Sequence, residues 1–310
     1  MGNSPVTLNK KPFLKKLMSE KHYLLMLLIP FIFMIIFRVV PIAGNVIAFR
    51  RFRGGGPIFG DQWVGLTNFR MFMGDPMFWA AFRNSVILAI INLIVNFTTP
   101  IILALLINEV KNKTFRRIVQ TISYLPRFLA TVIVIGIFRE LLSMEFGLVN
   151  HVIQLFGGSA IHFMNMPEWY RFIFVYSQNW QFVGFTSIIY LAALTSIDPQ
   201  LYEAADLDGA NRLQRIWHVS LPGIRITVIY MMLLAIGQML NFGLDRALLL
   251  YTPGNSATSD IIETYVFRFG ISQNRYSYAT AVGMFGGLIG VSLLATANYL
   301  SKKFADVGFY

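Results

Sequence analysis

One polar, charge-bearing stretch lies deep inside an otherwise apolar sequence: Glu203-Ala204-Ala205-Asp206-Leu207-Asp208-Gly209-Ala210, running on to Val219-Ser220-Leu221-Pro222. Asp198-Pro199 ahead of it reads as a carboxylate N-cap followed by proline at the first helical position. Gly209 gives the backbone a place to turn, and Pro222 resists continuation of a helix from upstream. The stretch therefore predicts two short helices with a bend at Asp208-Gly209, held outside lipid. Ala204 and Ala205 leave a thin face that a partner can approach closely. The chemistry on offer is contact with a partner, not bond breaking.

Catalytic patterns are missing from the sequence. No Gly-x-x-x-x-Gly-Lys-Ser/Thr is present to cradle ATP phosphates. His22, His151, His162 and His218 are scattered without metal-ligand spacing, so no metal site is expected. No nucleophile elbow or paired-acid arrangement emerges. The chain reads as non-catalytic.

Composition says what must position the polar stretch. Of the 310 residues, 55% are hydrophobic and only 13% charged, against about a quarter charged in soluble chains. Charge-free runs at 84–108, 172–197, 226–244 and 276–301 each approach the ~20 residues that cross the hydrocarbon core. The prediction is an all-α integral membrane protein with about six spans. The net charge of +11 does not call for nucleic acid, because basic residues cluster at span ends as membrane topology requires. The absence of cysteine excludes disulfides and thiolate metal sites. Met1–Lys21 is polar and basic, and the apolar run after it is too long for a signal-peptide core, so no cleavable signal is expected.

In chain order, residues 1–22 form a basic segment and the first span covers about Tyr23–Ile42, with Pro30 inside and Arg38 late enough to snorkel. An external or interfacial excursion runs to residue 83, including Gly54-Gly55-Gly56-Pro57 and Asp75-Pro76-Met77-Phe78-Trp79. The second span is placed at 85–107, with Ser85, Asn92, Asn96 and Thr99 on one face that must look into the bundle or a wet pathway. The third, 118–138, is interrupted at Pro126-Arg127. A short amphipathic helix is expected near 148–156. The fourth, 171–194, is the most polar. The fifth, 226–249, is predicted to put Gln238, Asn241 and Asp245 on one face, with Arg246 as a span-end ion-pair partner for Asp245. The sixth, 279–300, carries Gly283/Gly287 and Gly286/Gly290, pairs that allow close helix packing. Lys10, Lys11, Lys15, Lys16 and Lys21, the short loop with Lys111, Lys113, Arg116 and Arg117, and Lys302-Lys303 put both termini in the cytoplasm. The bias is modest, because Arg50, Arg51, Arg53 and Arg70 make the first outer segment basic as well.

The wording of the polar stretch resembles the cytoplasmic signature loop of permease subunits in binding-protein-dependent ATP-binding-cassette importers. Glu203-Ala204-Ala205, Gly209 and Leu221-Pro222 stand at that loop's spacing, and Val219 replaces its more usual Ile. Val64-Gly65-Leu66, Asn68-Phe69 and Asn84-Ser85 resemble the carbohydrate-uptake type. Pro41 to Ala48 resembles its oligosaccharide and polysaccharide subgroup, with Arg50-Arg51 less typical. The resemblance covers roughly 60–305, with the core module at 84–305, the coupling loop at 198–222 and a tail at 306–310.

That resemblance implies a type I importer permease fold with a cytoplasmic coupling helix, in a bacterial plasma membrane. It implies a second permease, two ATPase subunits that bind the ATP and Mg, and an extracellular solute-binding protein delivering a sugar. It assigns Glu203 to a charged contact with the ATPase, Ala204 and Ala205 to close docking, and Asp208, Gly209, Leu221 and Pro222 to the remainder of the coupling loop. Sugars need planar hydrogen-bonding groups and an aromatic face, which makes Asn179, Trp180, Gln181, Gln238, Asn241 and Asp245 the candidate pathway residues. Interhelical hydrogen bonding is the competing use for each. The alternatives are another solute for the same machinery (glycerol phosphate, an amino acid or a peptide) and an ATP-independent secondary transporter.

Overall fold

The computed structural model describes residues 21–52, 55–57, 59–305 and 308. The basic segment before residue 21, Arg53, Gly54 and most of the 306–310 tail lie outside the described residues. Three helices are long and apolar enough to cross a membrane: α1 (Lys21–Phe49), α3 (Pro76–Asn108) and α13 (Tyr276–Ala305). Three bent pairs qualify when each is taken as one span. These are α4 (Lys113–Phe128) with α5 (Thr131–Leu141), bent by 106°; α7 (Pro167–Thr195) with α8 (Pro199–Leu207), bent by 74°; and α9 (Arg212–Gly223) with α10 (Arg225–Gly237), bent by 66°. The shorter elements are α2 (Thr67–Met73), α6 (Leu148–Leu155), α11 (Leu244–Leu250), α12 (Ile262–Phe267) and a hairpin of β1 (Arg50–Arg51) and β2 (Gln62–Trp63), with Arg50 opposite Trp63.

α3 and α7 form the spine. Toward the hairpin end, Leu88, Ile135, Phe174, Phe242 and Leu250 bury one cluster between α3, α5, α7 and α11. Toward the signature end, Ile107, Tyr190, Leu194 and Ile224 bury another. A third cluster, with Phe72, Phe78, Tyr265 and Val282, joins α2, α12 and α13 to the start of α3. By contrast α1 has no buried residue until Ala48. Its apolar side chains face outward all round, as a helix surrounded by lipid or by another membrane protein requires.

Four expectations need correction. The second span is longer than predicted and starts at Pro76, because Asp75 caps it: Met77 N–H donates to Asp75 Oδ1 at 2.9 Å and Tyr265 Oη–H donates to Oδ2 at 2.5 Å. Asp75-Trp79 therefore caps and opens α3. Pro222 does not stop α9, which passes through it by way of a π-helical stretch, Ile216–Ser220, and breaks only at Ile224. The fifth span is not one helix over 226–249: α10 ends at Gly237, and the chain turns before α11 resumes at Leu244. Gly243 sits at φ +83°, a conformation that L side chains rarely adopt. Gln238, Asn241 and Asp245 therefore do not share a helix face. Of the four α13 glycines, Gly283, Gly286 and Gly287 do not bring two helices of this chain together either, and Gly290 alone meets a second helix, α10. A Cβ on Gly283, Gly286 or Gly287 would meet nothing within 4 Å, and one on Gly290 would meet only Gly237 O at 3.8 Å.

Candidate coupling loop and polar groove

The signature stretch folds as a capped helical hairpin. Asp198 Oδ1 accepts from Gln200 N–H at 3.0 Å, with Pro199 at the first position of α8. At the other end Gly209 adopts φ +78°. Its N–H donates to Asp206 O at 3.2 Å and Ala210 N–H donates to Ala205 O at 2.9 Å. That bond pair is a Schellman closure, which needs a left-handed residue at the position Gly209 occupies. Asn211 then starts α9 with a reciprocal cap: Gln214 N–H donates to Asn211 Oδ1 at 3.0 Å, and Asn211 N–H donates to Gln214 Oε1 at 2.7 Å. The bend predicted at Asp208-Gly209 is present.

Contacts missing from the sequence reading fix the hairpin to the bundle. Arg215 on α9 donates to Asp206 Oδ1 on α8 at 2.6 Å and to Glu109 Oε2 at the end of α3 at 3.0 Å. The Tyr202 and Ser220 hydroxyls lie 3.0 Å apart. Leu221 packs into the cluster around Ile107 and Leu194. What the hairpin leaves outside is specific. Glu203, Ala204 and Asp208 are exposed, Ala205 is half-buried, and Leu207 is 89% exposed. Leu201, Leu213 and Trp217 are also exposed. Glu203 makes no hydrogen bond or ion pair among the described residues. The hairpin's inner side is bonded to the bundle, and its outer side carries unpartnered charge beside bare leucine.

The candidate pathway residues divide into two groups. Asn179 and Gln181 are used inside the bundle. Asn179 Nδ2 donates to Asn96 Oδ1 at 3.2 Å and to Thr99 Oγ1 at 2.5 Å, and Asn96 Nδ2 donates to Asn92 Oδ1 at 2.6 Å. Asn96 and Thr99 of the polar stripe of α3 thus face α7, whereas Ser85 Oγ accepts from Ile262 N–H of α12 at 2.8 Å. Gln181, 2% exposed, donates to Leu129 O at 2.8 Å, and its Oε1 accepts from Arg246. Arg246, itself 4% exposed, also donates to Ser177 Oγ at 2.7 Å. The expected Asp245–Arg246 ion pair is therefore absent among the described residues: Arg246 turns inward to α7 and Asp245 is exposed.

Gln238, Asn241 and Trp180 are accessible. Trp180 meets the Phe138 ring edge-on at 6.1 Å. Gln238 and Asn241, with Asn92, Asn96 and Gln178, line a cavity of about 210 Å³ between α3, α7 and α10. Asn241 also lines a cavity of about 360 Å³ along the α13 glycines and one of about 630 Å³ reaching Asn45, Tyr276 and Thr280. The break in the fifth span thus brings Asn241 to the junction of three cavities. Glu263 on α12 lines the two larger ones and was not among the residues singled out from sequence. Its Oε1 accepts from Phe242 N–H at 2.9 Å.

The chain belongs to the family of binding-protein-dependent transport system inner membrane components, matched over residues 96–306. It is 40% identical over 301 residues to the polygalacturonan/rhamnogalacturonan transport system permease protein YteP of Bacillus subtilis (strain 168), covering 97% of this chain and 94% of that one. It is 29% identical to the arabinooligosaccharides transport system permease protein AraP of the same organism, covering 82% of this chain and 80% of that one. A chain in the crystal structure of a bacterial ABC transporter involved in import of the acidic polysaccharide alginate superposes with a TM-score of 0.87 at 36% identity, covering 95% of this chain and all of that one. A second structure of the alginate transporter, in complex with an alginate pentasaccharide-bound periplasmic protein, gives 0.88 at 36% identity over 96% of this chain. The fold is that of an importer permease, and the protein is an integral inner-membrane component.

Proposed function

We propose that the chain is the permease subunit of an ATP-driven importer that carries an oligosaccharide or polysaccharide fragment. The observation that carries this reading is the signature hairpin. A short capped helix is fastened to the spine by Arg215, Asp206 and Glu109, and presents Glu203, Ala204 and Leu207 to a partner. Two ATPase subunits that bind ATP and Mg take that surface, and their closure moves α8. The signature end and both termini then face the cytoplasm. A second permease covers the face of α1 that this chain leaves bare, and a solute-binding protein delivers sugar at the hairpin end. ATP and sugar drive the cycle only by favouring different states of the permease pair. This chain supplies no ATP hydrolysis.

The sugar passes the polar groove at the break in the fifth span. Gln238 and Asn241 offer amides to it, whereas Trp180 packs on Phe138 and lines none of the three cavities. The names of the similar permeases support a saccharide over glycerol phosphate, an amino acid or a peptide. An acidic saccharide is favoured within that class by the alginate importer likeness and by the arginines Arg50, Arg51 and Arg70 at the hairpin end. The test is uptake into lipid vesicles holding the assembled complex, with uronate and neutral oligosaccharides offered on the binding protein. Uptake that needs both ATP and the binding protein, and prefers uronates, is the expected result. Uptake by the chain alone without an ATPase would overturn the importer reading in favour of a secondary transporter.

A further inference from the structure

The segment 238–243 interrupts a span, and a broken span in a membrane protein must have its freed backbone groups satisfied by something else. Gln238, Met239 and Asn241 N–H groups close on Ala235, Ile236 and Gln238 carbonyls within the turn. Phe242 N–H has no such partner and donates instead to Glu263 Oε1 at 2.9 Å. Among the described residues Glu263 is the only side chain bonded to the backbone of this segment. Its other oxygen, Oε2, is buried without a hydrogen-bond partner among the described residues. A carboxylate held in this way is costly to bury, so its position calls for an explanation beyond packing. Asn241, one residue before the clamped amide, lines the same two cavities as Glu263.

We infer that Glu263 is a positioning residue: its carboxylate clamps the break of the fifth span and so fixes the place of Asn241 in the groove. The functional meaning rests on the reading of that groove as the saccharide pathway, whereas the clamp itself does not. The clamp joins α12 to the break of the fifth span. A change in the spacing of those two elements must therefore stretch it or carry Asn241 along.

The test uses the full chain in its assembled complex in lipid, with Glu263→Gln, Glu263→Asp and Glu263→Ala. Hydrogen exchange of the peptide spanning 238–243 is read by mass spectrometry. Glu263→Ala is expected to speed exchange by about tenfold or more, the factor a charge-assisted hydrogen bond is worth. Glu263→Gln keeps an acceptor oxygen at the same reach and is expected to stay within about threefold of wild type, a fraction of that bond. Glu263→Asp is a methylene short and is expected to behave as alanine does. The chain has no cysteine, so Asn241→Cys can be probed with a thiol reagent, with Asp61→Cys as a remote control. Labelling at 241 should change with Glu263→Ala while labelling at 61 does not, which separates a local release from misfolding. If Glu263→Ala does not assemble, Glu263→Asp carries the same comparison. Unchanged exchange and labelling in the alanine or aspartate variant would overturn the clamp, as would a glutamine variant as open as alanine. Opened exchange with unchanged sugar uptake would leave the clamp standing and overturn the pathway reading.

Discussion

At the residue scale the hairpin depends on Arg215, which serves two carboxylates from two different elements. Glu109 and Arg215 are largely shielded, so removing the guanidinium leaves a carboxylate poorly solvated at the end of α3. Arg215→Met should therefore destabilise the signature end by roughly 1–3 kcal/mol, the cost of stranding a bonded charged group. Adding Glu109→Gln to Arg215→Met should recover part of that loss. Thermal unfolding of the detergent-solubilised complex measures both, and equal melting of the single and double variants would contradict the pairing. Little of this was legible beforehand. Glu109 and Arg215 are far apart in sequence, and nothing in the local pattern around either one pairs them. Asn241 was legible as a polar residue in an apolar run, because unpaired amides facing lipid are costly. Gln181 satisfied the same test, yet its amide is used by Leu129 O and Arg246. Sequence shows that a buried amide needs partners but not whether those partners are protein or sugar.

At the element scale, caps and turn residues were readable and interruptions within spans were not. Asp198-Pro199 and Gly209 mark the ends of α8 because each meets a local backbone need that its side chain, or the lack of one, satisfies. The same reasoning predicts that Gly209→Ala, with open space for its Cβ, strains the backbone by about 1–2 kcal/mol. Gly209→Pro should be worse. It fixes φ near the opposite sign and deletes the N–H that donates to Asp206 O. Assembly on affinity purification, compared with sugar-stimulated ATP hydrolysis, checks this: both variants should assemble and lose stimulation, proline more than alanine. The break after Gly237 was missed because apolar composition continues through 244 without a proline. Its cause is tertiary. Gly243 permits the turn, and Glu263, distant in sequence, takes the freed amide. Pro222 misled in the opposite direction: a π-helical stretch just upstream carries α9 through it.

At the scale of the whole molecule, six spans and one signature loop were legible because hydropathy and charge are averaged over long windows. The surfaces that the chain leaves open were not. α1 lacks any buried residue before Ala48, and three of the α13 glycines have open space at the Cβ position. Gly287→Phe is therefore expected to leave the isolated chain's melting within about 0.5 kcal/mol of wild type, as at a site without packing constraints. In the assembled importer the same change should cut sugar uptake severalfold, because the proposed groove or the proposed second permease would meet that face. Equal uptake would contradict both uses. In the proposed importer α8 is the link between ATP and the groove. Sugar-stimulated ATP hydrolysis by the assembled complex in lipid tests that link most directly, with wild type set beside Glu203→Ala and Leu207→Ala. Stimulation should fall by roughly tenfold, the effect of losing one well-buried contact at an interface, while the subunits still co-purify. Full stimulation in both variants would contradict the account.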